Sequence, residues 1–172
     1  EENIIIKDKE VIILGAGGAS NAITYICADK GAAKIYLLNR TFDKAKKLAD
    51  DVNSHFGDIV VPLAISDYRL IPGGKYPVIQ TTSCGLYPNN DDAPIYDKEF
   101  YELVEAGVDI IFNPAKTMFM KLCKESGARA YNGLKMLLYQ GIAAFELWND
   151  IKVPKNLADK ILGMMERKLK ES

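Results

Sequence analysis

Small residues follow the first apolar segment of the chain in a pattern that can bind an anion. They are Gly15-Ala16-Gly17-Gly18-Ala19-Ser20, directly after residues 10–14. Gly15 permits a tight turn, and Gly17 lets the backbone approach a bound group closely. The free N–H groups at the start of a following helix attract phosphate. This loop indicates a dinucleotide-binding site, with Ser20 as a small substitute for the usual third glycine; the alternative is that the glycines serve only a turn.

A basic group follows the second apolar segment, residues 34–38. The basic residues are Arg40, which lies between the polar residues Asn39 and Thr41, and Lys44, one helical turn further on. A site that prefers NAD usually carries a carboxylate here, which binds both ribose hydroxyls. The planar guanidinium of Arg40 can instead bind a phosphate through two hydrogen bonds. We therefore expect NADP, with its 2′-phosphate, rather than NAD, the alternative being that Arg40 and Lys44 are solvated charges beside a helix start.

The elements that must position these groups alternate along the chain. Short apolar segments with the composition of buried strands lie at 10–14, 34–38, 59–63, 77–80, 108–112 and 128–131. Helices are expected at 18–31, 41–52 with Thr41 as N-cap, 100–106, 118–126, 134–148 and 156–170. This alternation predicts a doubly wound α/β fold with one parallel sheet in the order 3-2-1-4-5-6, the Rossmann fold. We expect residues 1–172 to form one such domain, with helices at its C-terminal end.

Composition and charge exclude several function classes. The formal net charge of −1 gives no attraction to nucleic acid or to an anionic membrane. No apolar segment approaches the ~20 residues that span a bilayer. Cys27, Cys84 and Cys123 lie far apart and His55 is the single histidine, so we expect neither disulfides nor a metal site. Reduced cysteines, and a start without a basic or apolar leader, predict a cytoplasmic protein.

Three motifs in the second half are more specific than the glycine loop. They are Gln80-Thr81-Thr82-Ser83-Cys84-Gly85-Leu86, Asp109-Ile110-Ile111-Phe112-Asn113-Pro114 with Lys116-Thr117, and Asn132-Gly133-Leu134-Lys135-Met136-Leu137-Leu138-Tyr139-Gln140 with Ala144-Phe145-Glu146-Leu147-Trp148. Together with the glycine loop and Asn39-Arg40-Thr41, their order and spacing closely resemble the C-terminal half of shikimate dehydrogenases. A Rossmann domain alone identifies no reaction, so the expected function rests on this resemblance. It implies NADP-dependent interconversion of 3-dehydroshikimate and shikimate in aromatic amino-acid biosynthesis.

The resemblance also implies a role for each matching residue. Residues 15–19 would hold the pyrophosphate, and residues 39–44 the 2′-phosphate, with Lys44 where the family has Arg. The nicotinamide half would lie along Thr81, Thr82, Ser83, the backbone of Ile110, and Gly133. Gln140 would contact the substrate, as would position 112, where Phe112 replaces the family's Tyr. Gln80 stands where the family commonly has Asn.

The residues themselves leave two interpretations of Gln140 open. Helical spacing predicts an apolar core stripe formed by Leu134, Leu137, Leu138, Phe145 and Trp148. Gln140 falls on another face, with Gly133, Met136 and Ala144. An amide there is either a buried polar group with internal partners or a contact to a ligand; the resemblance favours the ligand.

No catalytic residue is expected in this chain. In the family, proton transfer belongs to a Lys and an Asp of an N-terminal domain that precedes the cofactor domain, and we find no such domain here. We therefore expect this chain to be covalently linked to one in the whole protein, to bind NADPH, and to turn over nothing alone. Family members also occur fused to other enzymes of the aromatic pathway.

Three other functions stay open. A quinate/shikimate dehydrogenase with relaxed cofactor use has similar motifs. A non-catalytic NADP-binding regulatory domain would be compatible with Phe112. A dehydrogenase of another Rossmann family, such as the folate type, would explain the glycine loop but not residues 133–140.

Overall fold

A computed structural model describes residues 4–171, which form an α/β fold around one six-stranded sheet. The strands are β1 Glu10–Leu14, β2 Lys34–Asn39, β3 Val60–Ala64, β4 Tyr76–Gln80, β5 Val104–Asp109 and β6 Arg129–Tyr131. All neighbouring strands pair in parallel, in the order β3-β2-β1-β4-β5-β6. The predicted Rossmann fold and its strand order are confirmed.

Helices connect and flank the strands. They are α1 Gly18–Asp29, α2 Phe42–Phe56, α3 Lys98–Glu102, α4 Met118–Glu125, α5 Leu134–Asn149 and α6 Lys155–Glu171, with a 3₁₀ helix at Ile65–Leu70. Thr41 is the N-cap of α2 as predicted, although its side chain makes no capping hydrogen bond. No helix in the described part of the chain is long and apolar enough to cross a membrane.

The central strand β1 separates two apolar layers. Because successive side chains of a strand point to opposite faces, Ile12 and Leu14 pack with Phe100 and Phe119 on one face. Val11 and Ile13 pack on the other face with residues of α1 and α2. Burial of β1 on both faces fixes the place where its carboxyl end, and the glycine loop after it, must lie.

The helix predicted over 100–106 and the strand predicted over 108–112 exist, but their predicted bounds were wrong. Helix α3 ends at Glu102, and β5 runs from Val104 to Asp109, so the segment 110–112 follows the strand. The β5 sequence contains Glu105 and Gly107, which disfavour a strand locally, but pairing with β4 and β6 on both sides overrides that preference. A side chain at Gly107 would meet the Cys123 Sγ at 2.6 Å, so the glycine lets α4 pack against the sheet.

The predicted core stripe of α5 is correct only at its start. Leu134 and Leu138 are buried and Leu137 is half-buried, but Phe145 is 48% exposed and Trp148 is 80% exposed. A helix of 16 residues is about 24 Å long, and α5 contacts α6, but the residues buried along it are Leu134 and Leu138, in its first half. Phe145 and Trp148 therefore belong to a surface and not to the core.

The cysteines and the histidine lie apart from the loops at the sheet's carboxyl edge, with one exception. Cys27 and Cys123 are buried free thiols, and burial raises the pKa of each. Cys84, also free, is half-buried in the loop after β4. His55 is exposed in the last turn of α2, where its ring contacts Tyr25. Among residues 4–171, no His, Cys, Asp or Glu side chains are grouped so that they could hold a metal ion.

Candidate cofactor-binding site

The glycine loop turns sharply at the carboxyl end of β1. Gly15 has φ of 111°, and a Cβ there would lie 2.5 Å from the Thr81 Oγ1. The Thr81 hydroxyl and N–H both donate to the Leu14 carbonyl, at 2.7 and 2.9 Å. The loop is therefore pressed against the segment after β4, and only glycine fits at position 15.

Ser20 connects the start of α1 to this turn. Its side chain is fully buried, and its hydroxyl donates to the Gly15 carbonyl at 2.6 Å. At the N-terminus of α1, the N-cap residue Gly17 offers no capping side chain, and the first turn carries no acidic residue. Gly17 and Gly18 are exposed, with no atom within 4 Å of an added Cβ. The first N–H groups of α1 are thus uncapped by side chains and accessible to an anion.

The basic group predicted from the sequence lies beside this loop. The Asn39 Nδ2 donates to the Thr41 carbonyl at 2.8 Å, which holds the turn that presents the exposed Arg40. Gly15, Asn39 and Arg40 line one groove of about 460 Å³, together with Thr82 and Ser83. The structure therefore brings residues from three separate segments of the chain to one surface.

A second groove adjoins the first at the glycine loop. It has a volume of about 880 Å³ and is lined by Ala16, Gly17, Gly18, Asn21, Lys44, Lys47, Leu48 and Asp51. Lys47 was not singled out from the sequence, although its place one turn after Lys44 on α2 is a signal for it. The Asp51 carboxylate accepts a hydrogen bond from the Tyr25 hydroxyl at 2.8 Å. The two lysines therefore outnumber the acidic group, and the groove favours an anion.

The segments after β4 and β5 lie side by side at the same edge of the sheet. The Ile110 N–H donates to the Gln80 carbonyl at 3.1 Å, and the Gly133 N–H donates to the Ile111 carbonyl at 3.0 Å. A Cβ at Gly133 would collide with the Ile110 carbonyl. The peptide group that joins Gln80 to Thr81, the segment 110–111 and Gly133 are thus held together by short backbone contacts in one tight rim.

A buried polar cluster of Gln80, Asp109 and Thr117 lies beneath this rim. The Asp109 carboxylate accepts from the Thr117 Oγ1 at 2.6 Å, the Ile111 N–H at 2.9 Å and the Gln80 Nε2 at 3.4 Å. The Gln80 Nε2 also donates to the Cys84 carbonyl at 3.1 Å, and its Oε1 accepts from the Thr82 N–H. Burial raises the pKa of Asp109 to about 6, against the lowering effect of its hydrogen bonds.

Asp109 and Thr117 were not predicted from the sequence to be site residues. The available signal was a carboxylate at the end of an apolar segment, followed eight positions later by a threonine. Gln80, noted only as a replacement for Asn, spans the distance from Thr82 to Asp109.

The two predicted substrate residues lie outside both grooves. Phe112 is 37% exposed, and Gln140 is exposed on α5 near the partly exposed Met136. Gln140 is therefore not buried by the part of the chain that the structure describes. Each side chain is accessible to a ligand.

Comparison with known proteins identifies the family. Residues 2–65 match the family model described as shikimate / quinate 5-dehydrogenase, and residues 133–160 match the shikimate 5′-dehydrogenase C-terminal domain. The shikimate dehydrogenase (NADP(+)) of Carboxydothermus hydrogenoformans is 37% identical over 164 residues, which cover 95% of this chain and 58% of that protein.

Two solved structures share the fold. A chorismate mutase/shikimate 5-dehydrogenase fusion protein from Clostridium acetobutylicum aligns with a TM-score of 0.80 and 32% identity, over 97% of this chain and 57% of that one. A shikimate dehydrogenase in complex with NADP+ aligns with a TM-score of 0.75 and 34% identity, over 91% of this chain and 54% of that one.

This chain spans a little more than half the length of the relatives it matches, 58% in the Carboxydothermus protein. The glycine loop lies within the matched residues 2–65, and Gly133 is the first of the matched residues 133–160. The chain belongs to the shikimate dehydrogenase family and corresponds to the C-terminal part of its members.

Proposed function

We propose that this chain is the NADP-binding half of a shikimate dehydrogenase, an oxidoreductase that interconverts 3-dehydroshikimate and shikimate in aromatic amino-acid biosynthesis. One observation carries the proposal. The uncapped N-terminus of α1 and the cationic side chains of Arg40 and Lys44 line adjoining grooves at the carboxyl edge of the sheet. Relatives named for NADP(+), and a related structure in complex with NADP+, support the choice of cofactor.

The adenosine end of the cofactor would lie across the two grooves. The pyrophosphate would bind the N–H groups at Gly17, Gly18 and Ala19, because an uncapped helix start attracts negative charge. The 2′-phosphate would bind Arg40 and Lys44, and the guanidinium offers two parallel hydrogen bonds to phosphate oxygens. Asn39, Thr41 and the small residues Ala16 and Ser20 would shape this end.

The nicotinamide end would lie along the rim formed by Thr81, Thr82, Ser83, Ile110 and Gly133. A side chain at Gly133 would collide with the Ile110 carbonyl, so glycine at this position keeps the start of α5 against the segment after β5. When bound, the cofactor supplies the hydride. The chain's own residues bind it, orient it and exclude water from one of its faces.

The substrate and the proton chemistry require more than this chain. We propose that Gln140 contacts shikimate, that Phe112 lies where the family has a second contact, and that the Lys and Asp for proton transfer belong to a covalently linked N-terminal domain. Relatives are longer by the length of such a domain. Leu147 is 81% exposed and Trp148 is 80% exposed, and exposed apolar groups of this kind suit an interface with another domain.

One observation favours a second candidate. The family model that matches residues 2–65 is described for both shikimate and quinate, so a quinate/shikimate dehydrogenase would fit the same cofactor half. Further fused pathway enzymes and a cytoplasmic location stay predictions.

Calorimetric titration of the purified chain tests the proposal. We expect NADPH to bind, and shikimate plus NADP to give no absorbance change at 340 nm, since the proton-transferring residues lie elsewhere. A chain that binds no NADPH would overturn the cofactor assignment. Measurable shikimate oxidation by residues 1–172 alone would overturn the proposal that the proton-transferring residues belong to another domain.

A further inference from the structure

We propose that Asp109, together with Gln80 and Thr117, is a positioning residue that fixes the backbone rim for the nicotinamide half of the cofactor. It would act without touching the cofactor. The inference rests on the proposed function and deepens it, because it assigns the nicotinamide end a determinant separate from that of the adenosine end.

Burying the polar cluster costs free energy. Asp109 and Gln80 are fully buried, and Thr117 is 1% exposed. The three groups that donate to the Asp109 carboxylate are all neutral: a hydroxyl, a backbone N–H and an amide. Burying a carboxylate among neutral partners is unfavourable compared with an apolar side chain of the same size. The sheet edge does not need such a group for stability, which points to a role in arranging its surroundings.

The cluster forms hydrogen bonds to the backbone of the loops after β4 and β5. Asp109 and Gln80 are register partners, the last residues of β5 and β4. Gln80 binds the Thr82 N–H and the Cys84 carbonyl, which sets the loop after β4. Asp109 binds the Ile111 N–H.

The same connection continues into α5. The Ile111 carbonyl accepts from the Gly133 N–H, so the start of α5 is held by the segment that Asp109 orients. One carboxylate is thereby linked to the loop after β4, the loop after β5 and the N-terminus of α5. These are the three segments that form the rim.

The Asp109 carboxylate is itself held by Thr117, the N-cap residue of α4. The Thr117 hydroxyl donates to Asp109 and accepts from the Met120 N–H at the N-terminus of α4. The first turn of α4 therefore anchors the cluster. None of these hydrogen bonds involves Gly17, Arg40 or Lys44, the residues proposed to bind the phosphates of the adenosine end.

The test uses two ligands that separate the two ends. NADPH occupies the whole site, whereas adenosine 2′,5′-bisphosphate carries only the adenosine end, with a 2′- and a 5′-phosphate, and lacks the nicotinamide half. For Asp109→Asn and Thr117→Val we expect the dissociation constant for NADPH to rise about tenfold, as for loss of a charge-assisted hydrogen bond. The dissociation constant for adenosine 2′,5′-bisphosphate should change less than about twofold. Thr117→Ser keeps both hydroxyl bonds and should restore NADPH binding.

The outcomes distinguish this inference from the proposed function. If wild-type chain binds neither ligand, the proposed function fails. If it binds both, and the variants weaken both ligands equally or leave NADPH binding unchanged, the positioning role is refuted. Should Asp109→Asn fail to fold in circular dichroism, the Thr117→Val and Thr117→Ser pair decides by the same comparison.

Discussion

Asp109 should make the stability of the chain depend on pH in a direction opposite to that of a salt-bridged carboxylate. Burial raises its pKa from the ordinary 3.8 to about 6. The folded state therefore holds a proton on this group at pH values where the unfolded state has lost it. Stability is fully present below the unfolded pKa and is lost as the pH rises through the folded pKa.

The size of this effect follows from the pKa difference. A difference of about two pH units is worth about 3 kcal/mol in the free energy of unfolding, of which about 2 kcal/mol falls between pH 4 and pH 7. The buried neighbours Cys123 and Tyr101 contribute no competing titration in this window, because burial raises the pKa of Cys123 to about 12 and that of Tyr101 further.

Urea unfolding of wild-type chain and Asp109→Asn at pH 4, 5.5 and 7 measures the effect. Other carboxylates cancel in the difference between the two proteins. We expect the free energy of unfolding of Asp109→Asn to rise relative to wild type by about 2 kcal/mol from pH 4 to pH 7. A difference that stays constant with pH, or that changes in the opposite direction, would refute the account of a desolvated carboxylate.

Three further substitutions probe the site. Gly133→Ala should weaken NADPH binding at least about tenfold in calorimetry, because its Cβ collides with the Ile110 carbonyl, and should spare adenosine 2′,5′-bisphosphate; equal loss of both ligands would contradict the placement of the rim. Ser20→Ala removes the bond to the Gly15 carbonyl and should lower the free energy of unfolding by about 1 kcal/mol in urea, whereas an unchanged midpoint would show that bond to be dispensable. Phe112→Tyr adds a hydroxyl to a partly exposed ring outside both grooves and should leave the dissociation constant for NADPH unchanged; a marked change would place this ring against the cofactor.

Much of the fold could be predicted because its signals are local. Residues 11–14 and 35–38 are continuous apolar runs that are buried, and each is followed by a helix. The segment 104–109 lacks such a run, and only its pairing with two neighbours makes it a strand. The error over Phe145 and Trp148 arose because helical spacing identifies an apolar face but not how much of that face other elements cover.

Some residues of the candidate site could likewise be predicted from local sequence, and others could not. Gly15 and Arg40 could be found from the residues beside them along the chain, since a turn and a helix start define their roles. The contact between Asp109 and Gln80 depends on the register of β4 with β5. The contact between Asp109 and Thr117 depends on where α4 begins. Neither can be derived from sequence spacing, because each depends on how elements pair in the folded chain.

The most direct test of NADP as the cofactor is a paired titration of wild-type chain and Arg40→Asp with NADPH and NADH. We expect wild type to prefer NADPH, and Arg40→Asp to lose at least about tenfold in NADPH affinity, the cost of a charge-assisted phosphate contact. The affinity for NADH should stay the same or improve, since an acidic group can bind the ribose hydroxyls. Equal weakening of both cofactors by Arg40→Asp, or a wild-type chain that binds NADH as tightly as NADPH, would contradict the assignment of the 2′-phosphate to Arg40.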